Sequence, residues 1–210
     1  MFKGLKKSNP STLIGIDFGS SAIKAIVLSK SNGNFQVDAV AEIAVEKGFI
    51  VDHRFENMVK LTEIIKQLHK NFPASYQNVA IAVSGADVIT KIMPMNTNLN
   101  DLALEYQVEI EAENSIPFPL DEIFLDFEII GINANSPDLK DVLVSAARKD
   151  TVLSQVNCIE EAGLQVKIVD IASHALARAC KLLFSSEDFD KGIAVVDIGA
   201  SEMTLNILHQ

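Results

Sequence analysis

Two stretches of this 210-residue chain, 180 positions apart, repeat one pattern. Ile14-Gly15-Ile16-Asp17-Phe18-Gly19-Ser20-Ser21-Ala22-Ile23-Lys24 lies over Ala194-Val195-Val196-Asp197-Ile198-Gly199-Ala200-Ser201-Glu202-Met203-Thr204. Asp17 falls on Asp197, Gly19 on Gly199 and Ser21 on Ser201; farther on, Leu28 falls on Leu208. Each copy reads as an apolar strand, an aspartate, a glycine two residues on, small or hydroxyl residues, and a second apolar strand. Both ends of the fold are thus expected to make the same tight strand pair with a carboxylate at the strand's end. A carboxylate there is costly unless it is solvated, paired or near a cation. The glycine is expected to admit a positive φ and to bring backbone N–H groups close to a ligand. Ser20, Ser21, Ala200 and Ser201 leave room and add hydroxyl donors. Two such turns facing each other would clamp a phosphate with their amides. Asp17 and Asp197 would hold Mg2+ through water, because that ion keeps much of its hydration. Lys24 follows the first turn and is placed to approach phosphate oxygens. Simple hairpin closure is enough to explain one such copy; two copies at the two ends of one chain favour a shared site.

Between the copies the pattern alternates strands and helices. Residues 13–17, 22–28 and 35–42 predict a three-strand meander, with Ser31-Asn32-Gly33-Asn34 as a hairpin turn. Residues 55–71 carry apolar side chains at helical spacing, from Phe55 to Leu68, and Pro73 ends that helix. Strands follow over 78–84 and 88–93. Asn98-Leu99-Asn100-Asp101 caps a helix running to Ser115, whose expected apolar side holds Leu102, Tyr106 and Ile110 and whose Glu105, Glu109, Glu111 and Glu113 read as a solvated face. Two more strands lie over 123–130 and 142–147. Residues 78–148 therefore read as a small α+β subdomain. With no Gly-, Pro- or Ser-rich linker at either boundary, it reads as an insertion into a core of residues 10–77 and 149–210. The core resumes with a helix opened by Asp150 and closed by Gly163, a strand over 165–170, a helix over 171–184 and a polar loop over 185–191. Strands over 193–197 and 202–208 complete it.

Composition narrows the function classes. Lys plus Arg is 18 and Asp plus Glu is 28, a net charge of −10, so phosphate backbones of nucleic acid would be repelled. The longest apolar runs are strand-sized and predict no membrane span. Cys158 and Cys180 have no partner cluster, which suggests neither a zinc site nor a disulfide framework and fits a reducing compartment, the cytoplasm. His53, His69, His174 and His209 show no ligand spacing. Phe2 and Leu5, among Lys3, Lys6 and Lys7, read as an amphipathic arm or a disordered terminus.

The Asp17–Lys24 and Asp197–Ser201 runs resemble the phosphate loops of the actin-like ATPase superfamily, which includes actin, the heat-shock chaperone ATPases, sugar kinases and FtsA. The chain is more specifically similar to the actin-like proteins of type IV pilus assembly. That likeness rests on Val79-Ala80-Ile81-Ala82-Val83-Ser84-Gly85, Glu109-Ile110-Glu111-Ala112-Glu113, Ile116-Pro117-Phe118-Pro119-Leu120, Leu125-Asp126-Phe127, Val144-Ser145-Ala146-Ala147-Arg148-Lys149 and Glu161-Ala162-Gly163-Leu164. The resemblance implies a ribonuclease H-like α/β core with an inserted α+β subdomain. It implies binding of ATP and Mg2+, with weak or no ATP turnover. It implies recruitment of the cytoplasmic tail of the inner-membrane protein PilN, contacts with other pilus platform and motor proteins, and a cytoplasmic location at the inner membrane through that partner; self-association stays open. It gives Asp170 a role in positioning the attacking water, where the residues themselves suggest an N-cap carboxylate. Two departures stand out. The second turn is Gly199-Ala200-Ser201 where many superfamily members have two glycines, and the second lobe into which the family continues after the second phosphate loop is expected to be absent from these 210 residues. The competing expectations are an active ATP-dependent kinase or phosphotransferase of the same superfamily, and a two-metal nuclease built on Asp17 and Asp197, which the net charge disfavours.

Overall fold

The structure is a computed structural model and describes residues 12–31 and 33–209. The arm carrying Phe2 and Leu5, and Asn32 of the first hairpin turn, lie outside the described residues. In chain order the elements are β1 (Leu13–Phe18), β2 (Ala22–Ser31), β3 (Asn34–Ala44), the short strands β4 (Ile50–Val51) and β5 (Arg54–Phe55), α1 (Met58–His69) and β6 (Asn78–Val83). Then come β7 (Val88–Asn96), α2 (Asp101–Ser115), β8 (Ile123–Ile132) and β9 (Leu139–Arg148). The chain continues with α3 (Lys149–Glu161), β10 (Gln165–Ile171), α4 (Ala172–Cys180), α5 (Ser186–Lys191), β11 (Ile193–Ile198) and β12 (Met203–Leu208). These residues form two units. One combines the residues up to Ala82 with those from Ser154 onward; the other is Val83–Leu153.

The first unit is built on a five-stranded sheet in the order β10-β6-β1-β2-β3. β1, β2 and β3 pair antiparallel, whereas β6 lies parallel to β1. A parallel return needs a crossover, and α1 supplies it. Strand alternation turns Ile14, Ile16, Ile23, Ala25 and Val27 to one face. There they are buried with Leu61, Ile65 and Leu68 of α1 and Cys158 and Ile159 of α3. Because β6 is a strand of this sheet, the inserted unit begins at residue 83 and ends at 153, later at both ends than the boundaries 78 and 148 drawn from the sequence.

Three local expectations are corrected here. α1 starts at Met58, with Asn57 as its cap, because Phe55 is already paired with Ile50 in the β4–β5 hairpin. The helix expected over 171–184 stops at Cys180. The stretch read as a polar loop instead forms α5, because Ser185 and Asp188 exchange the reciprocal hydrogen bonds of a capping box. Gly163, at φ 89°, ends α3 as expected.

α3 also buries a polar group. Gln155 is 4% exposed, and its Oε1 has no hydrogen-bond partner among the described residues. A buried acceptor left unmatched is costly, whereas an apolar side chain of like volume is not. Gln155→Leu is expected to raise the unfolding free energy by about 1 kcal/mol. The check is a higher urea midpoint at unchanged slope.

The second unit is a three-stranded antiparallel sheet, β7-β9-β8, with α2 on one face. Leu104 and Val108 of α2 are buried with Met93, Met95, Val142 and Val144, and Ala112 with Ile116, Ile123 and Ala146. The expected apolar side was the wrong one: Leu102 and Tyr106 are 79% and 66% exposed. The helix carries two apolar rows. Both rows repeat every four residues; the buried one narrows from Leu104 through Val108 to Ala112 and so allows a closer approach to the sheet than one carrying tyrosine.

Candidate functional site

The two copies fold into the same hairpin. β1–β2 sets Asp17 opposite Lys24 and Phe18 opposite Ile23; β11–β12 sets Asp197 opposite Thr204 and Ile198 opposite Met203. The register is therefore kept across the 180-residue shift. In each turn the glycine N–H donates across the bend, Gly19 to Ala22 O at 3.0 Å and Gly199 to Glu202 O at 2.9 Å. The reason for glycine differs from the expected one, since neither Gly19 nor Gly199 has a positive φ. A Cβ at Gly19 would stand 2.8 Å from the Ala22 carbonyl oxygen, and one at Gly199 would stand 3.2 Å from that of Glu202. The bend is too tight for a side chain at 19 and barely admits one at 199. The Gly19 amide serves the turn itself.

The turns meet. Ser20 Oγ and Ser201 Oγ are 2.8 Å apart and share a hydrogen bond. Asp17 and Asp197 are close enough to repel. Lost hydration is the largest cause lifting the Asp17 pKa above its ordinary value; Asp197 adds to the rise and Lys24 opposes it. Among the described residues no group of three or more metal-ligating side chains occurs. Two carboxylates suit a cation that keeps its water and takes its other ligands from phosphate, as Mg2+ does, whereas the Lys24 ammonium suits the phosphate oxygens themselves.

Asp17 and Lys24 stand at one end of a groove of about 740 Å3 on the five-stranded sheet. Its floor is lined by Gly15, Ala80 and Ala82, and Ile26, Val40 and Ile168 add apolar surface. The size falls within the range of roughly 300–1,000 Å3 typical of small-molecule sites. Asp170 and Arg178 line the same groove. Asp170 is not a helix cap: Ile171 takes that position and no side chain caps α4. One Asp170 oxygen accepts from the Ile171 N–H at 2.8 Å, and the other is ion-paired with Arg178. The guanidinium outcompetes the helix end for the carboxylate.

Two residues at this site were missed in the sequence. Arg178 is eight positions from Asp170, too far for a local motif. His53 places Nε2 3.0 Å from the carboxylate of Glu202, next to Ser201, although 149 residues separate the two in the chain.

The likeness of the hairpins stops at burial. Ile16, Ile23, Ala25 and Val27 are core residues, yet their counterparts Val196, Met203, Leu205 and Ile207 are exposed.

A ribonuclease H-like α/β core, with an inserted α+β unit and a repeated strand–turn–strand element whose turns touch, has the actin-like ATPase fold. Within that class the chain belongs to the PilM family of type IV pilus assembly proteins, whose family model matches residues 15–210. It is similar in structure to a chain of the PilM–PilN type IV pilus biogenesis complex, at 25% identity and a TM-score of 0.77, covering 94% of this chain and 58% of that one. It thus spans little more than half the length of that relative. Two further likenesses are weaker. The cytoplasmic domain of EpsL, an inner-membrane component of the type II secretion system of Vibrio cholerae, matches at 14% identity and TM-score 0.49, over 76% of this chain and 57% of that one. A Bacteroides thetaiotaomicron protein of actin-like ATPase fold and unknown function matches at 13% and 0.40, over 95% and 70%. Among the described residues no helix is long and apolar enough to cross a membrane.

Proposed function

We propose that this chain is a nucleotide-responsive scaffold of type IV pilus assembly, which binds Mg2+·ATP at its two turns and recruits the cytoplasmic tail of PilN. The observation that carries the reading is the meeting of Ser20 with Ser201, with Asp17 and Asp197 behind them. On this reading Ser20, Ser21, Ala200 and Ser201 contact phosphates through amides and hydroxyls, and Gly19 and Gly199 keep the bends tight. Lys24 balances phosphate charge. Asp17 and Asp197 hold the hydrated cation, which neutralises charge on the phosphates when bound. Asp170 would position water only after leaving Arg178, a constraint that fits slow turnover and a nucleotide acting mainly as a conformational ligand. The apolar face of β11–β12 is where the second lobe implied by the resemblance would pack. Family membership and the likeness to the PilM–PilN complex support PilN as the partner; a cytoplasmic location at the inner membrane through it, and contact with the pilus platform and motor, extend that reading from the resemblance.

Calorimetry with a synthetic PilN tail peptide, with and without Mg2+·ATP, tests the reading. Both ligands are expected to bind, and each to shift the other's affinity roughly 5- to 150-fold. A peptide that binds in neither condition removes the scaffold function.

A further inference from the structure

Between the two phosphate turns stands an element neither turn includes, the β4–β5 hairpin of residues 50–55. It is joined by only two residues, Asp52 and His53, with φ of 47° and 63°. Two-residue hairpins with both central residues at positive φ favour Asn-Gly or Asp-Gly, because a Cβ crowds the backbone there. Aspartate tolerates the position, but glycine would suit residue 53 better than histidine. What glycine lacks is the side chain, and this one reaches the second turn. His53 Nε2 lies 3.0 Å from both carboxylate oxygens of Glu202. Glu202 is also the residue whose carbonyl accepts the Gly199 N–H and closes that turn. The other end of the hairpin grips the first turn: the Phe55 ring packs on Phe18, between Asp17 and Gly19, with centroids 4.8 Å apart. Ile50, 5% exposed, anchors the hairpin in the core.

We propose that residues 50–55 form a strut that sets the spacing between the two phosphate turns, with His53 as the positioning residue for the second. The strut deepens the nucleotide-site reading and rests on it for its purpose, while its geometry is testable without nucleotide. The backbone strain at His53 persists because the imidazole is needed at Glu202.

The reporter is the full chain with Ser20→Cys and Ser201→Cys, equilibrated in glutathione redox buffers and followed by intact mass. Adding His53→Gly creates a relaxed Asp-Gly turn, so the thermal midpoint should stay level or rise. The effective concentration of the two thiols should nonetheless fall roughly tenfold as the second turn loosens. Glu202→Ala should give the same loss, and the two changes together no more than either alone. With both serines intact, His53→Gly should weaken Mg2+·ATP binding roughly tenfold at an unimpaired midpoint. Thiols that link as readily with His53→Gly as without it overturn the strut. If linking falls while the parent chain binds no Mg2+·ATP, the strut stands and the nucleotide reading fails.

Discussion

Oxidation of the Ser20→Cys/Ser201→Cys variant should abolish Mg2+·ATP binding, and reduction should restore it. The two hydroxyl oxygens are already 2.8 Å apart. A disulfide needs its sulfurs about 2.05 Å apart, and the longer C–S bonds bring them together with little backbone movement. A phosphate gripped by both turns must replace the direct contact between them. A covalent link fixes that contact and excludes the phosphate, so affinity should drop by more than roughly a hundredfold, equivalent to about 2.8 kcal/mol. The native thiols should not compete. Cys158 and Cys180 are both buried, and loss of hydration pushes the Cys158 thiol up to about 11, leaving little thiolate at neutral pH. Thermal melting reads the outcome: the reduced form should gain about 2.7 kcal/mol at ligand a hundredfold above its Kd, and the oxidised form nothing. An oxidised form that binds as well as the reduced one would place any phosphate site away from these turns.

The turns were legible because a strand, a carboxylate, a glycine and a hydroxyl in fixed order leave a local signature, and the repeat doubled it. The three-strand meander of the core was legible for the same reason, since β1 to β3 alternate or run apolar and α1 keeps helical spacing, whereas β6 read as part of the insertion and its parallel pairing with β1 was not legible. What escaped was set by partners far apart in the chain. Nothing near residue 53 announces Glu202, and the short β4–β5 strands carry too few residues for periodicity to show. Asp170 looked like a cap because local rules see a helix start, not a guanidinium folding back from Arg178. α2 offered two apolar rows, and only packing against Met93, Val142 and Val144 chose between them. The glycines were rightly singled out on a mistaken ground: their φ is ordinary, and the constraint is a carbonyl oxygen across the bend. That oxygen can be placed only once the turn is built.

Asp17→Asn should stabilise the ligand-free chain at neutral pH while depriving it of Mg2+·ATP. Lost hydration and the neighbouring Asp197 raise the Asp17 pKa, and the pull of Lys24 does not cancel them. The folded chain therefore holds this proton more tightly than the unfolded one, and acid favours folding at this position. The contribution is complete below the ordinary value of 3.8 and is lost as pH rises through the elevated folded value. Asparagine carries no charge to desolvate, but Asp17 is exposed and water screens much of the effect, so the variant should melt only slightly above the parent chain at pH 7, with the difference closing as pH falls toward 3.8. With Mg2+·ATP the order should invert. The parent keeps both carboxylates and gains ligand stabilisation, whereas the variant, left with Asp197 alone, should bind at least roughly tenfold more weakly. The opposite signs separate site from scaffold, because a carboxylate retained for packing would give a variant less stable with and without ligand. A variant that melts lower at pH 7 in both conditions would make Asp17 a structural residue, and one that keeps full nucleotide affinity would remove it from the site.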